Sequence, residues 1–372
     1  MTARTPLLPA PVRDEWFLAV SAATALAFLV SGGALLGGLS SPPWLALVFL
    51  WLFAAVLGSA LCVVRHAERL AVRLGEPYGT LILTLSITFI EVMSISAVML
   101  HGENNPTLAR DTVFAVVMIV LNGMVGLSLL LGGWRHREQH YNLQGANAYL
   151  GVIIPLVVLS LLLPDYTQTT PGPTLSFAQE GFLVLVAVGL YAAFLAIQTG
   201  RHSGYFTRAT EAAGHAAPAE APPPVAPHAA LLVAYLVPVV FLAEQLAHPV
   251  DYLIETLGAP APLGGVIVAV LVATPEAIGA ARAALANHMQ RSVNIFLGSV
   301  LSTIGLTVPA MVLIGHAIGR HVVLGVEHTD LVLLLLTLAV SVVTFASGHT
   351  NVVQGAVHLV LFAAYLLLIV QG

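Results

Sequence analysis

The sequence predicts an all-α polytopic membrane protein of about eleven transmembrane helices, an extra first helix followed by two inverted five-helix repeats. Three observations carry that expectation. The chain of 372 residues is 58% hydrophobic and 8% charged, with a mean hydropathy of +0.93, a composition outside the range of water-soluble domains. Its apolar residues gather into eleven runs, most of them close to the roughly 20 residues that cross a bilayer as a helix. One stretch also occurs twice: Gly79–Glu91 (GTLILTLSITFIE) lies over Gly264–Glu276 (GGVIVAVLVATPE) without a gap, with Gly79/Gly264, Ile82/Ile267 and Glu91/Glu276 identical.

The elements follow in order. Residues 1–15 are a polar leader, and Trp16–Leu39 is a first span, too long for a signal-peptide core and preceded by Asp14 and Glu15 where basic residues would be expected. Residues 1–39 thus stand outside the repeats. The first repeat, 40–199, holds apolar runs at about Trp44–Val64, Gly79–Leu100, Thr112–Gly133, Tyr149–Leu163 and Ala178–Thr199. Residues 200–228 contain HAAPAEAPPPVAPH, which can neither span a membrane nor bury a core, and read as a flexible cytoplasmic linker. A regulatory role for His202, His215 and His228 is the sharper alternative there. The second repeat, 229–372, holds runs at about Ala229–Ala247, Leu263–Asn287, Ser292–Ile318, Asp330–Phe345 and Thr350–Val370.

Arginine sets the orientation. All 13 basic residues are arginine, and 11 of them fall on one set of alternate connections, against Arg110 and Arg320 on the other. The positive-inside rule then places the N-terminus in the cytoplasm and, after eleven spans, the C-terminus outside. The single cysteine, Cys62, excludes an intrachain disulfide framework.

The chemistry centres on Glu91 and Glu276, in the third and eighth spans. A carboxylate halfway through a span costs several kcal/mol unless it is protonated or paired with a cation, so each is a candidate site residue. Pro275 has no N–H for the carbonyl of Leu271, which predicts a helix break beside Glu276 and free backbone oxygens. Spans three and eight cross the membrane in opposite directions, and inverted-repeat transporters hold their substrate at mid-membrane between the halves. A hard cation such as Ca2+ takes about six to eight oxygens. Two opposed glutamates match one divalent charge; when the ion leaves, protons can take its place, and that competition is the physical basis of antiport.

Further oxygens are at hand. Thr88 shares a helical face with Glu91, and Thr274 would reach the site only if the break at Pro275 redirects it; the alternative for both is a hydroxyl bonded back to its own helix. Asn122 in the fourth span, and Ser299, Ser302 and Thr303 in the ninth, would flank the glutamates as ligands or supporting groups, whereas Gly123, Gly126, Gly298 and Gly305 read as helix-packing positions. Glu244, Asp251 and Glu255 cluster at the outer end of the seventh span and the loop after it and read as a solvated rim, the alternative being an acidic funnel that concentrates cations. The 14 histidines lie mostly at span ends and in loops, with no metal-binding spacing, and read as interfacial.

Two stretches carry a resemblance. GEPYGTLILTLSITFIEVMSISAVML (Gly75–Leu100) and LVATPEAIGAARAALANHMQRSVNIFLGSVLSTIGLTVP (Leu271–Pro309) resemble the two alpha-repeats of the calcium/proton exchangers in the cation/calcium exchanger superfamily, most closely the bacterial ChaA-type antiporters. The resemblance implies an essential cation- or proton-binding glutamate in each repeat, mapping to Glu91 and Glu276, and polar partner helices mapping to Asn122 and to Ser299, Ser302 and Thr303. It also implies an integral protein of the bacterial inner membrane, without a resident cofactor, that transports Ca2+, with Na+ and K+ as alternatives, against H+. Many such relatives carry G-N-x-x-E at the site; here Ile87-Thr88 and Val272-Ala273 stand at those positions. A membrane-embedded enzyme is the rival of another class, and the chain has no H-E-x-x-H or G-x-S-x-G to support it. A passive channel would need no proton-titrating pair.

Overall fold

In lipid a helix satisfies its own backbone hydrogen bonds, so a chain this apolar has little choice but to be helical. The computed structural model describes residues 15–75, 78–101, 107–206, 224–319 and 322–371. Among them are eleven helices long and apolar enough to cross a membrane. In order they are α1 (Trp16–Gly37), α2 (Pro42–Leu74), α3 (Tyr78–His101), α4 (Leu108–His136), α5 (Leu143–Tyr166), α6 (Phe177–Thr199), α7 (Val225–Thr256), α8 (Pro262–Leu285), α9 (Met289–Ala317), α10 (His328–Phe345) and α11 (Val352–Gln371). Residues 1–14 of the leader and His215 of the linker lie outside the described residues, as does Arg320.

Local sequence explains several ends. Ser176 and Gln179 form a reciprocal capping box at the start of α6, and Asn142 Oδ1 accepts the N–H groups of Gln144 (2.9 Å) and Gly145 (3.3 Å) at the start of α5. Gly75, at φ 66°, turns the chain out of α2 where a side chain would be strained. A two-residue antiparallel ladder pairs β1 (Gln139–His140) with β2 (His349–Thr350), joining the connection after α4 to that between α10 and α11.

Helices α4 and α9 are the most buried spans, and α1 and α6 the least. Peripheral spans expose side chains such as Leu29, Val30, Leu185 and Val343, as a lipid-facing surface requires. Close approach at the centre depends on glycine. A Cβ on Gly265 would lie 2.6 Å from the carbonyl carbon of Asp111, so α8 crosses α4 backbone to backbone. Similarly, a Cβ on Gly355 would lie 2.6 Å from the amide nitrogen of Leu130, and one on Gly126 would lie 2.9 Å from that of Leu359, which fixes α4 against α11.

The helix breaks differ from expectation. α8 runs through Pro275 without interruption, because losing one hydrogen bond and tolerating the ring costs about 3 kcal/mol, which packing against α4 and α9 can carry. Irregular turns sit elsewhere: the next helix of each half carries a π-helical turn, at Ile119–Met124 in α4 and Thr303–Thr307 in α9, and further π turns lie at Val158–Leu162 in α5 and Tyr252–Thr256 in α7. Helix α7 also begins earlier than the linker reading placed it, so His228 is a buried helical residue.

Candidate functional site

Helices α3 and α8 bring Glu91 and Glu276 to one narrow gap between them. Its apolar wall is Ile87, Val116, Val272 and Ala273, and its polar wall is Ser299, Ser302 and Thr303. Three of the four apolar positions are residues at or beside those where the G-N-x-x-E pattern would place glycine and asparagine, so the oxygen supply comes from elsewhere.

It comes from α9. Ser299 donates its hydroxyl to Glu276 Oε2. One and two turns on, Thr303 and Thr307 both donate to Glu91 Oε2, at 3.2 Å and 2.7 Å. Spacing of four residues puts successive side chains on one helical face, and the π turn beginning at Thr303 shifts that face as it passes from one glutamate to the other. Ser302 Oγ turns back to the Ser299 carbonyl at 2.9 Å. Glu91 is 2% exposed, and its Oε1 has no hydrogen-bond partner among the described residues.

Other predicted positions fall elsewhere. Thr88 is buried next to the gap with an unbonded hydroxyl among the described residues, touching neither carboxylate by hydrogen bond. Thr274 donates to the carbonyl of Val270 at 2.5 Å, back onto its own helix, because α8 stays regular and leaves it off the site face. Asn122 points away from the glutamates. Its amide donates to Thr337 Oγ1 at 2.9 Å, and its oxygen lies 3.2 Å from His358 Nδ1, so it joins α4 to α10 and α11. The π turn at Ile119–Met124 aims it there. Thr307 is absent from the sequence expectations, although Ser299, Thr303 and Thr307 recur every four residues and that recurrence could have revealed it.

Glu276 opens onto a cavity of about 440 Å3 that it lines with Pro275, Ser299 and Ser302. The same cavity reaches Glu68 and Arg291, exposed and 4.0 Å apart at its mouth. The opposite end of the bundle has a separate cavity of about 460 Å3, which neither glutamate lines. There the buried Arg110 donates to Asp111 Oδ1 at 2.8 Å and to the Gly325 carbonyl at 3.2 Å, and the Val326 N–H donates to the Leu161 carbonyl at 3.0 Å. The two carboxylates therefore differ in access: Glu276 meets the cavity, and Glu91 lies behind it.

The chain is similar in sequence and in fold to known proteins. A putative ionic transporter, y4hA, of Sinorhizobium fredii is 45% identical over 330 residues, covering 88% of this chain and 89% of its own. The sodium-potassium/proton antiporter ChaA of Escherichia coli is 40% identical over 318 residues, 84% of this chain and 86% of its own. Among solved structures, native YfkE superposes with a TM-score of 0.73 at 19% identity over 96% of this chain and 100% of its own. The H+/Ca2+ exchanger CAX gives 0.67 at 16% identity over 95% and 88%. The sodium/calcium exchanger family model matches residues 44–200 and 227–371, two blocks that each contain one of the glutamates, and the chain belongs to that family.

Proposed function

We propose that the chain is a secondary antiporter that exports Ca2+ from the cytoplasm in exchange for protons by alternating access, with Glu91 and Glu276 binding cation and protons in competition. The convergence of these two carboxylates on one gap at the head of a cavity carries the reading. Two carboxylates facing each other in a poorly solvated gap cannot both stay ionised without a counter-charge. A divalent cation supplies that charge, or protons remove the need for it. Ser299, Ser302 and Thr303 add neutral oxygens toward the about six to eight that Ca2+ takes. Thr303 and Thr307 fix one oxygen of Glu91 and leave Oε1 for the ion or proton. Thr88 is an adjoining hydroxyl; Thr274 and Asn122 stand outside the proposed set.

The arginines at the end of α2 and after α4 mark the cytoplasmic side by the positive-inside rule, with the N-terminus there and the C-terminus outside. Arg291 at the cavity mouth belongs to the same side, so the state described is inward-facing. Close relatives from bacteria support a place in the bacterial inner membrane.

A monovalent reading has an observation of its own. The relative that is 40% identical is named a sodium-potassium/proton antiporter, whereas relatives named Ca2+/H+ antiporters are 22 to 25% identical. Everted membrane vesicles carrying an imposed pH gradient test both readings. Added CaCl2 is expected to dissipate the gradient with the wild type and not with Glu91→Gln or Glu276→Gln; a response to NaCl or KCl alone selects the monovalent reading. Wild-type vesicles that respond to no ion, or glutamine variants that respond as the wild type does, sink the two-carboxylate mechanism.

A further inference from the structure

At the arginine-rich end, three helices meet through ionisable side chains that the cation site does not use. Glu15, at the start of α1, is 7% exposed, and its Oε2 accepts a hydrogen bond from the Tyr235 hydroxyl of α7 at 2.9 Å and another from Arg65 of α2. His66 of α2, fully buried, holds Nε2 3.4 Å from that same oxygen. Its other nitrogen, Nδ1, lies 3.0 Å from Nδ1 of His228, a buried residue in the first turn of α7. The His66 ring also stacks on Tyr235, with centroids 5.9 Å apart. Among the described residues, Cys62 and Arg69, both on α2, are the other ionisable groups that face this cluster.

A contact between two Nδ1 atoms is a hydrogen bond only when one ring donates and the other accepts. If His66 accepts at Nδ1, its own proton is on Nε2, the nitrogen nearest Glu15. A second proton on the accepting ring sets two N–H groups head to head, and the bond is lost. Glu15 decides what replaces it. Burial alone would raise its carboxyl group, but Tyr235, Arg65 and His66 together outweigh burial and hold it below the ordinary carboxylate value, so it remains an anion able to receive a charged imidazole.

We propose that His66 and His228 form a proton-sensitive clasp between α2 and the start of α7, closed while the pair shares one Nδ1 proton and opened when the accepting ring gains a second. In the open state His66 pairs with Glu15, and the first turn of α7 is released. Helices α2 and α7 begin the two repeats, so the clasp joins the halves at the end where the cavity opens. Its assignment to the cytoplasmic side rests on the orientation proposed above. Proton concentration on that side thereby acts on the halves separately from Glu91 and Glu276.

Hydrogen–deuterium exchange of the purified full chain in detergent, without transported cations, tests the clasp. Labelling times are scaled to hold the intrinsic chemical exchange rate constant while pH is lowered from about 8 to about 5, the range in which imidazole titrates. Peptides covering the first two turns of α7 are expected to exchange several-fold faster at the acid end in the wild type, and without pH dependence in His228→Gln, which cannot be protonated. His66→Gln probes the same bond through the other ring and is expected to give the same flat profile. A wild type with no acid-dependent uptake, or glutamine variants that keep the wild-type response, overturns the proposal. The measurement requires no transport, so a failure here leaves the vesicle result standing, and a failure of the vesicle assay leaves this one readable.

Discussion

Helices α4 and α9 come after their glutamates at equivalent places, are the two most buried spans, and each carries a π turn. Their chemistry is different. In the register that lays Glu91 on Glu276, Ser299, Ser302, Thr303 and Thr307 of α9 correspond to Phe114, Val117, Met118 and Asn122 of α4. The polar helix serves both carboxylates, while the apolar one uses its single amide to fasten α10 and α11. Repetition has kept the backbone device and let one copy take over the oxygen supply. A π turn inserts a residue's worth of rotation, and the effect of that rotation depends on which side chains it moves.

The comparison can be broken in order of effect. Glu91→Gln or Glu276→Gln removes half the charge of the gap and is expected to cost about 3–5 kcal/mol of ion binding, roughly two to three and a half orders of magnitude in affinity. Isothermal titration of the purified protein with Ca2+ reads that loss, and unchanged affinity in both would dissolve the shared-gap description. Next comes the double substitution Thr303→Val, Thr307→Val. Hydrogen bonds to charged groups contribute about 1.5–3 kcal/mol each, so losing both donors to Glu91 is expected to weaken apparent cation affinity by at least about tenfold. Ser299→Ala should produce a smaller loss confined to Glu276.

The equivalent change in α4 should behave otherwise. Asn122→Leu removes the partner of His358 Nδ1 and the amide donor to Thr337 Oγ1 and is expected to lower stability by about 1–3 kcal/mol, seen as a reduced Tm, with ion affinity near that of the wild type. An affinity loss at unchanged Tm would mean that α4 serves the site after all. Thr274→Val should be nearly silent, within about 0.5 kcal/mol, because its hydroxyl bonds only to the Val270 carbonyl.

Much of the candidate site is legible in the chain alone. Glu91 and Glu276 announce themselves because a carboxylate in an apolar run is expensive wherever the helix goes, and Ser299, Ser302 and Thr303 lie in the following span where polar residues are rare. Thr307 escapes such a reading because its face is defined by Ser299 and Thr303, not by the motif around the glutamate. Repeat symmetry puts Asn122 at the site, but symmetry predicts position and not orientation. Pro275 suggests a break that packing suppresses. His66 and His228 read as interfacial from their positions at a span end and in the linker, and His358, in the middle of the last span, is read with them, yet all three are buried.

The sequence by itself determined the eleven spans, the arginine asymmetry and the two mid-span glutamates, because each depends on the free energy of transferring a local stretch into lipid, and that sum needs no knowledge of neighbours. Only the tertiary structure decided that α9 supplies hydroxyls to both carboxylates, that Asn122 faces α10 and α11, and that His66 meets His228 across 162 positions of chain. Those contacts join helices that are distant in sequence. Which faces meet depends on where backbones can touch, as at Gly265 against Asp111, and on how far each π turn rotates the rest of its helix.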